Sequence, residues 1–310
     1  MIKKPIITLL IFFSFNTVWS QSKQLRFKHL DIEDGLSLSS VYTIFQDSKG
    51  FMWFGTEDGL NRYDGKNFRI FRPDASNPNS ISHKWIDQIY EDISGILWFG
   101  SRAGLTSFNP KKEIFTQYKN ASVEGNKLSN DTIICLLEDN EKQLWVGTLG
   151  GINKIDLATG KSTQFMFNDS NLSRLNGRIN ALLLIGNGNV LIGSDGGLFV
   201  FNKSEKNFSK IKIQISEEQD IRVKSMSEGK DRLWLGTNLG LVSYFPEKKL
   251  VKLYSIPSSQ ISKEPNQFIE NLYLSSSGIP KRIRPPFQVT MLEGFTKIVV
   301  GCYGSVQFRG

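Results

Sequence analysis

Histidine and cysteine are scarce in this chain, with two of each among 310 residues. Each shortage removes a class of chemistry. His29 and His83 lie among strand and link residues, so a catalytic site built on a histidine base has little to draw on. Cys135 and Cys302 are too far apart in sequence to read as a disulfide framework. Cys135 sits in the run Ile133-Ile134-Cys135-Leu136-Leu137 and reads as a buried, inert thiol. No Walker, Rossmann or metal-ligand spacing occurs, and no cofactor is expected. No low-complexity linker divides the chain, so one domain is expected.

The apolar run Ile6–Phe15 is short for a membrane span. With Lys3 and Lys4 before it and Val18-Trp19-Ser20 before Gln21, it reads as a secretory signal peptide. Residues 1–20 are therefore expected to be removed and residues 21–310 exported. An uncleaved leader would leave a membrane tether. No cysteine follows the cut to take a lipid anchor. The net charge of +8 is scattered over turns and outer strands, which is a solvated surface. Nucleic acid is not an expected partner of an exported chain.

What the chain has in abundance is one phrase, written five times. It reads Trp53-Phe54-Gly55-Thr56-Glu57-Asp58-Gly59-Leu60, then Trp98-Phe99-Gly100-Ser101-Arg102-Ala103-Gly104-Leu105. It returns as Trp145-Val146-Gly147-Thr148-Leu149-Gly150-Gly151-Ile152, as Leu191-Ile192-Gly193-Ser194-Asp195-Gly196-Gly197-Leu198, and as Trp234-Leu235-Gly236-Thr237-Asn238-Leu239-Gly240-Leu241. Successive copies are 45, 47, 46 and 43 residues apart. A period near 45 with strand-type sequence predicts an all-β fold, a β-propeller of four-stranded blades.

The first repeat shows why. Val41–Phe45 is β-branched and aromatic, Phe51–Phe54 is almost wholly apolar, and Leu60–Tyr63 and Asn67–Phe71 follow. Turn residues Asp47-Ser48-Lys49-Gly50, Glu57-Asp58-Gly59 and Asp64-Gly65 separate the four strands. Gly59 is expected to take a positive φ. The tryptophan segments are expected as inner strands, with the rings filling the gaps between wedge-shaped blades. The expected blades are 37–72, 82–119, 128–167, 175–212 and 220–254.

A degenerate, incomplete sixth blade is expected over 266–310. It opens with Phe268-Ile269-Glu270-Asn271-Leu272-Tyr273-Leu274. Where tryptophan should recur near 281, Ile279-Pro280-Lys281-Arg282-Ile283-Arg284-Pro285-Pro286 reads as unfit for an inner strand. A faint echo follows at Val299–Val306. Either this blade carries an insertion, or the reading is disturbed and the chain is a truncated fragment. Leu25–Leu30 resembles a fourth strand and is expected to complete a C-terminal blade.

The phrase from Trp53 to Asp64, with Glu33-Asp34-Gly35-Leu36-Ser37 and Val41–Asp47 before it and Asn79–Ile86 after it, resembles the two-component regulator propeller repeat. The resemblance covers residues 25–275. It implies a periplasmic sensor region of a hybrid histidine kinase that responds to carbohydrate. The partners it implies are an oligosaccharide ligand and downstream sensor and kinase modules that this chain lacks. A homodimer is open to a full-length relative. The residues here hold no kinase motif, and no enzyme activity is expected of this chain. The alternatives are a stand-alone exported binding or scaffold module and, more weakly, a lyase-type propeller enzyme.

Ligand-binding residues are sought where the fold does not dictate identity. In the turn between second and third strands the glycine stays and the first residue changes, through Glu57, Arg102, Leu149, Asp195 and Asn238. This turn and the link between blades are expected on one face. Trp85, Asp131 and Arg178 lie in or beside those links. The candidate set is Glu57, Trp85, Arg102, Asp195 and Asn238, with a polar group and an aromatic platform suited to a saccharide.

Overall fold

The computed structural model describes residues 27–77, 79–122, 125–213, 221–254, 272–274, 280–282, 290–292 and 306–307. The expected leader at 1–20, Cys302 and most of the expected sixth blade lie outside them. The described chain is a β-propeller with five four-stranded antiparallel blades. The first blade runs through Val41–Gln46, Met52–Thr56, Gly59–Tyr63 and Phe68–Phe71. The second uses Ile86–Glu91, Leu97–Ser101, Gly104–Asn109 and Ile114–Tyr118. The third uses Ile133–Glu138, Gln143–Thr148, Gly151–Asp156 and Ser162–Gln164. The fourth uses Ile179–Leu184, Val190–Ser194, Gly197–Asn202 and Asn207–Ile211. The fifth uses Val223–Glu228, Leu233–Thr237, Gly240–Phe245 and Leu250–Tyr254. A single 3₁₀ turn, Ser173–Asn176, interrupts the link between the third and fourth blades.

The tryptophan segments are inner strands as expected, each the second of its blade and paired on both sides. The first strands of successive blades approach one another and line the axis. Chemistry explains the order. The second strands of the first four blades are buried almost throughout, whereas the first strands carry half-buried polar side chains that the axial side tolerates. One core cluster fills each gap. Between the first two blades, Trp53, Leu60, Ile86, Leu97, Phe99 and Phe108 pack together. Burying a ring such as Trp53 stabilises the stack by about 2–3 kcal/mol.

The second-strand glycine permits the close approach of blades. A Cβ on Gly55 would sit 2.5 Å from the Ile86 carbonyl oxygen. One on Gly147 would sit 2.5 Å from Cys135 Sγ and 2.7 Å from Ile179 Cγ2. Gly59 takes the expected left-handed backbone, with φ of 125°.

The C-terminal segments carry short paired strands. Pro280–Arg282, in the stretch read as unfit for an inner strand, pairs antiparallel with Leu272–Leu274. Proline stands first in this short strand, where a missing N–H is tolerated. Leu272–Leu274 lies beside Val223–Glu228, where the first strand of a sixth blade would lie. The N-terminal strand Phe27–His29 finds a partner within the chain, Thr290–Leu292. Val306–Gln307 adds in parallel to Val41–Gln46.

Candidate functional site

The ladder between first and second strands slips at the same place in every blade. The slip falls between Val41 and Thr43, Ile86 and Gln88, Ile133 and Cys135, Ile179 and Ala181, and Val223 and Ser225. The residue left over is Tyr42, Asp87, Ile134, Asn180 or Lys224. Such a bulge re-aims its side chain, and here the bulged residue meets the varied turn of its own or the preceding blade. Tyr42 donates its hydroxyl to Glu57. Asp87 lies 3.7 Å from Arg102. Ile134 and Leu149 line one cavity. Asn180 donates to Asp195 at 2.9 Å, and Lys224 reaches back to Asp195 at 2.6 Å. The two variable columns of the repeat are thus chemically matched: phenol with carboxylate, carboxylate with guanidinium, aliphatic with aliphatic, amide with carboxylate.

The expected sharing of one face holds. Gly59 N–H donates to the Lys84 carbonyl and Gly104 N–H to the Asp131 carbonyl, so each turn is pinned to the link that enters the next blade. In the later blades Leu149, Asp195 and Asn238 N–H groups donate to Thr132, Arg178 and Arg222 carbonyls in the link that enters their own blade.

Three candidates meet between the first two blades. Trp85 Nε1 donates to Asp87 at 2.7 Å. The Arg102 guanidinium stacks 3.7 Å above the Trp85 ring. Tyr42, held by Glu57, lies 5.1 Å from the same ring. The indole is therefore a covered layer within a cluster. Burial pushes the Asp87 carboxyl above the usual range, against the Trp85 hydrogen bond and the Arg102 charge. Its bond to Glu57, first, and burial, second, raise the Tyr42 phenol. His83 accepts the Trp85 backbone N–H through Nδ1 and helps to set the link.

Asp195 belongs to a second cluster, between the fourth and fifth blades. Arg178 Nε donates to Asn180 at 2.9 Å, and Asn180 also donates to the Val223 carbonyl at 2.9 Å. Burial works to raise the Asp195 carboxyl. Hydrogen bonds from Lys224 and Asn180 and the charges of Lys224 and Arg178 outweigh it, so the carboxyl lies below its ordinary value. Asn238 stands apart from both clusters and braces the chain, accepting the Arg222 backbone N–H at 2.7 Å.

A cavity of about 720 Å³ opens between the clusters. Asp87, Arg102, Thr132, Ile134, Leu149, Arg178, Asn180 and Lys224 are among its lining residues. Of the five candidates, Arg102 lines it directly. Trp85 supports Arg102, Asp195 holds Lys224 and Asn180, and Glu57 acts through Tyr42. The sequence reading missed Asp87, Ile134, Asn180 and Lys224. Their signal was a second variable column, 15 residues before the varied turn in the first four repeats.

The arrangement supplies charges, amides and an aliphatic wall. Among the described residues no group of three or more His, Cys, Asp or Glu is placed to hold a metal ion. Burial pushes the Cys135 thiol up to about 12, which leaves it protonated and inert.

Known proteins agree with this architecture. The family described as two component regulator propeller matches residues 35–58 and 127–150. Histidine kinase P4 of Formosa agariphila is 45% identical over 74 residues, which make up 23% of this chain and 5% of that protein. The extracellular domain assigned to a hybrid two-component system of B. thetaiotaomicron superposes with a TM-score of 0.64 at 22% identity, over 91% of this chain and 37% of that one. A streptogramin B lyase superposes with a TM-score of 0.54 at 14% identity, over 83% and 86%. At these identities the two structures speak to fold alone. The chain spans 5% of the curated relative and 37% of the first of these structures. Two of its repeats thus match the two component regulator propeller family in sequence, and the repeats fold as blades of a propeller.

Proposed function

We propose that this propeller is the ligand-sensing front of a hybrid two-component sensor kinase, exported to the periplasm, and that it takes a carbohydrate on the face carrying the varied turns. The observation that carries the reading is the cavity of about 720 Å³ between matched bulge and turn residues. Its size falls in the usual span for small-ligand sites, about 300–1,000 Å³. Its walls come from the second through fifth blades, so a bound ligand would tie four blades together. A ligand that binds one blade arrangement better shifts the stack toward it, and that shift is the signal passed to downstream modules.

Calorimetry of the purified chain against neutral and acidic oligosaccharides tests the reading. At least one sugar should bind. Replacing Arg102 by Ala should weaken it by roughly 1–3 kcal/mol, about tenfold to a hundredfold in affinity, with the circular dichroism spectrum unchanged. Trp85→Ala should weaken it less, by loosening Arg102 from below. Absence of binding across both sets of sugars would sink the reading. Cell fractionation checks export.

A further inference from the structure

We infer that the sugar taken by the face cavity is anionic: an oligosaccharide bearing carboxylate or sulfate groups. This rests on the carbohydrate-sensing reading above and adds the charge of the ligand.

The cavity wall combines cationic and aliphatic side chains. Arg102 stands on the second blade, Ile134 and Leu149 on the third, Arg178 on the fourth and Lys224 on the fifth. Three of the lining side chains are cationic and Asp87 is the lining carboxylate. The cations are not equally engaged. Lys224 is tied to Asp195 at 2.6 Å. Arg102 contacts Asp87 only at 3.7 Å. Arg178 is exposed, gives its Nε to Asn180, and acts on Asp195 by charge without an ion pair to it among the described residues. A guanidinium anchored through Nε presents its terminal nitrogens as a fork, the geometry that accepts a carboxylate or sulfate in two parallel bonds.

The third blade decides between a simple anion and an acidic sugar. Leu149 is 44% exposed, and Ile134 lines the cavity beside it. A small inorganic anion gains nothing from an aliphatic wall. A sugar ring has an apolar C–H face that covers Leu149 and Ile134, while its acidic substituent reaches Arg178 on one side and Arg102 on the other. An acidic oligosaccharide is the ligand class that uses both parts of the wall.

The test uses the purified chain with oligouronides and sulfated oligosaccharides, each beside its carboxyl-reduced or desulfated counterpart, in calorimetry. An acidic oligomer is expected to bind at least about tenfold tighter than its neutral counterpart. Added salt should weaken the acidic oligomer selectively. Arg178→Gln should remove the preference. Asp195→Asn, which removes the carboxylate that holds Lys224, should strengthen acidic binding; a role confined to structure would not produce that gain. Equal binding of the acidic and neutral partners, or an unchanged preference in Arg178→Gln, overturns the inference. Binding of a neutral sugar with no acidic sugar bound overturns the charge and leaves the sensing reading standing. Binding of inorganic sulfate with no oligosaccharide bound overturns both, as does a complete absence of binding.

Discussion

The first three blades and the last two solve the same packing problem differently. In the first three, an aspartate clasps the tryptophan. Trp53, Trp98 and Trp145 donate Nε1 to Asp47, Asp92 and Asp139 at 2.8, 2.8 and 2.7 Å. The other carboxylate oxygen closes the turn; Asp92 Oδ1, for example, accepts the Ser94 and Ile96 N–H groups at 2.8 and 3.1 Å. One side chain thus fixes both a hairpin and a buried ring. In the fourth blade Leu191 replaces the tryptophan and Ile185 stands where the aspartate would be. Both polar partners are gone together, so no buried donor is orphaned. In the fifth blade Trp234 remains but Glu228 occupies the aspartate position, and the indole is only half-buried, beside Tyr254 and the Arg232 guanidinium. The lesson is the asymmetry of hydrogen bonds. Removing both partners costs little, while removing one costs the full desolvation of the other. The conserved-looking tryptophan of this repeat is half of a pair.

The sharpest way to break this comparison is Asp92→Ala. It should cost about 3 kcal/mol in urea unfolding, since it orphans a buried indole N–H and opens a turn. Glu228→Ala should cost under about 0.5 kcal/mol. Equal losses in the two variants would show that the clasp has no special role. Trp145→Phe should cost about 2 kcal/mol, by orphaning Asp139 and leaving a void, and Trp234→Phe under about 1 kcal/mol, because its indole N–H lies in a half-buried ring. Similar thermal shifts in both would contradict that order.

Two smaller effects sharpen the picture. Asp195 is held below its ordinary value, so its pairing with Lys224 adds stability that is present at neutral pH. That stability fades as the pH falls through the ordinary aspartate value, about 3.9, and past the lowered one. The pair is partly exposed, which limits it to about 0.5–1 kcal/mol. The melting difference between the wild-type chain and Asp195→Asn should therefore shrink toward zero in acid; a constant difference would assign the effect to shape and not charge. Smallest is Lys142. It takes φ of 58° where the first two blades have Gly50 and Gly95 in the matching turn. Lys142→Gly should raise stability by under about 0.5 kcal/mol in chemical unfolding, the relieved strain being partly offset by the added chain entropy of glycine.

Much of the fold was legible because the repeat compares the chain with itself. Gly59 recurs in every copy because its backbone is left-handed, and Gly55 because the next blade's Ile86 leaves no room for a Cβ. These demands are local or fall at a fixed offset, so they print as columns. The candidate site was legible in part. Arg102 and Asp195 stand out as variable turn residues and Trp85 as an aromatic in the adjoining link, but their partners do not. Asp87 and Asn180 sit on bulges, and a bulge is a matter of register between two strands that a linear reading does not show. Comparing two columns at once, Tyr42 with Glu57 and Asp87 with Arg102, would have exposed the matching.

The number of clear blades, their four strands, the turns and the buried rings follow from the order of residues alone, because spacing, alternation and turn chemistry act over short stretches. Tertiary structure decided which variable side chains share a cavity. Lys224 meets Asp195 across a blade boundary, and Arg102 and Arg178 line one space from different blades. Those meetings depend on how the blades are stacked around the axis, and that is fixed by the summed packing of all their faces and not by any one segment.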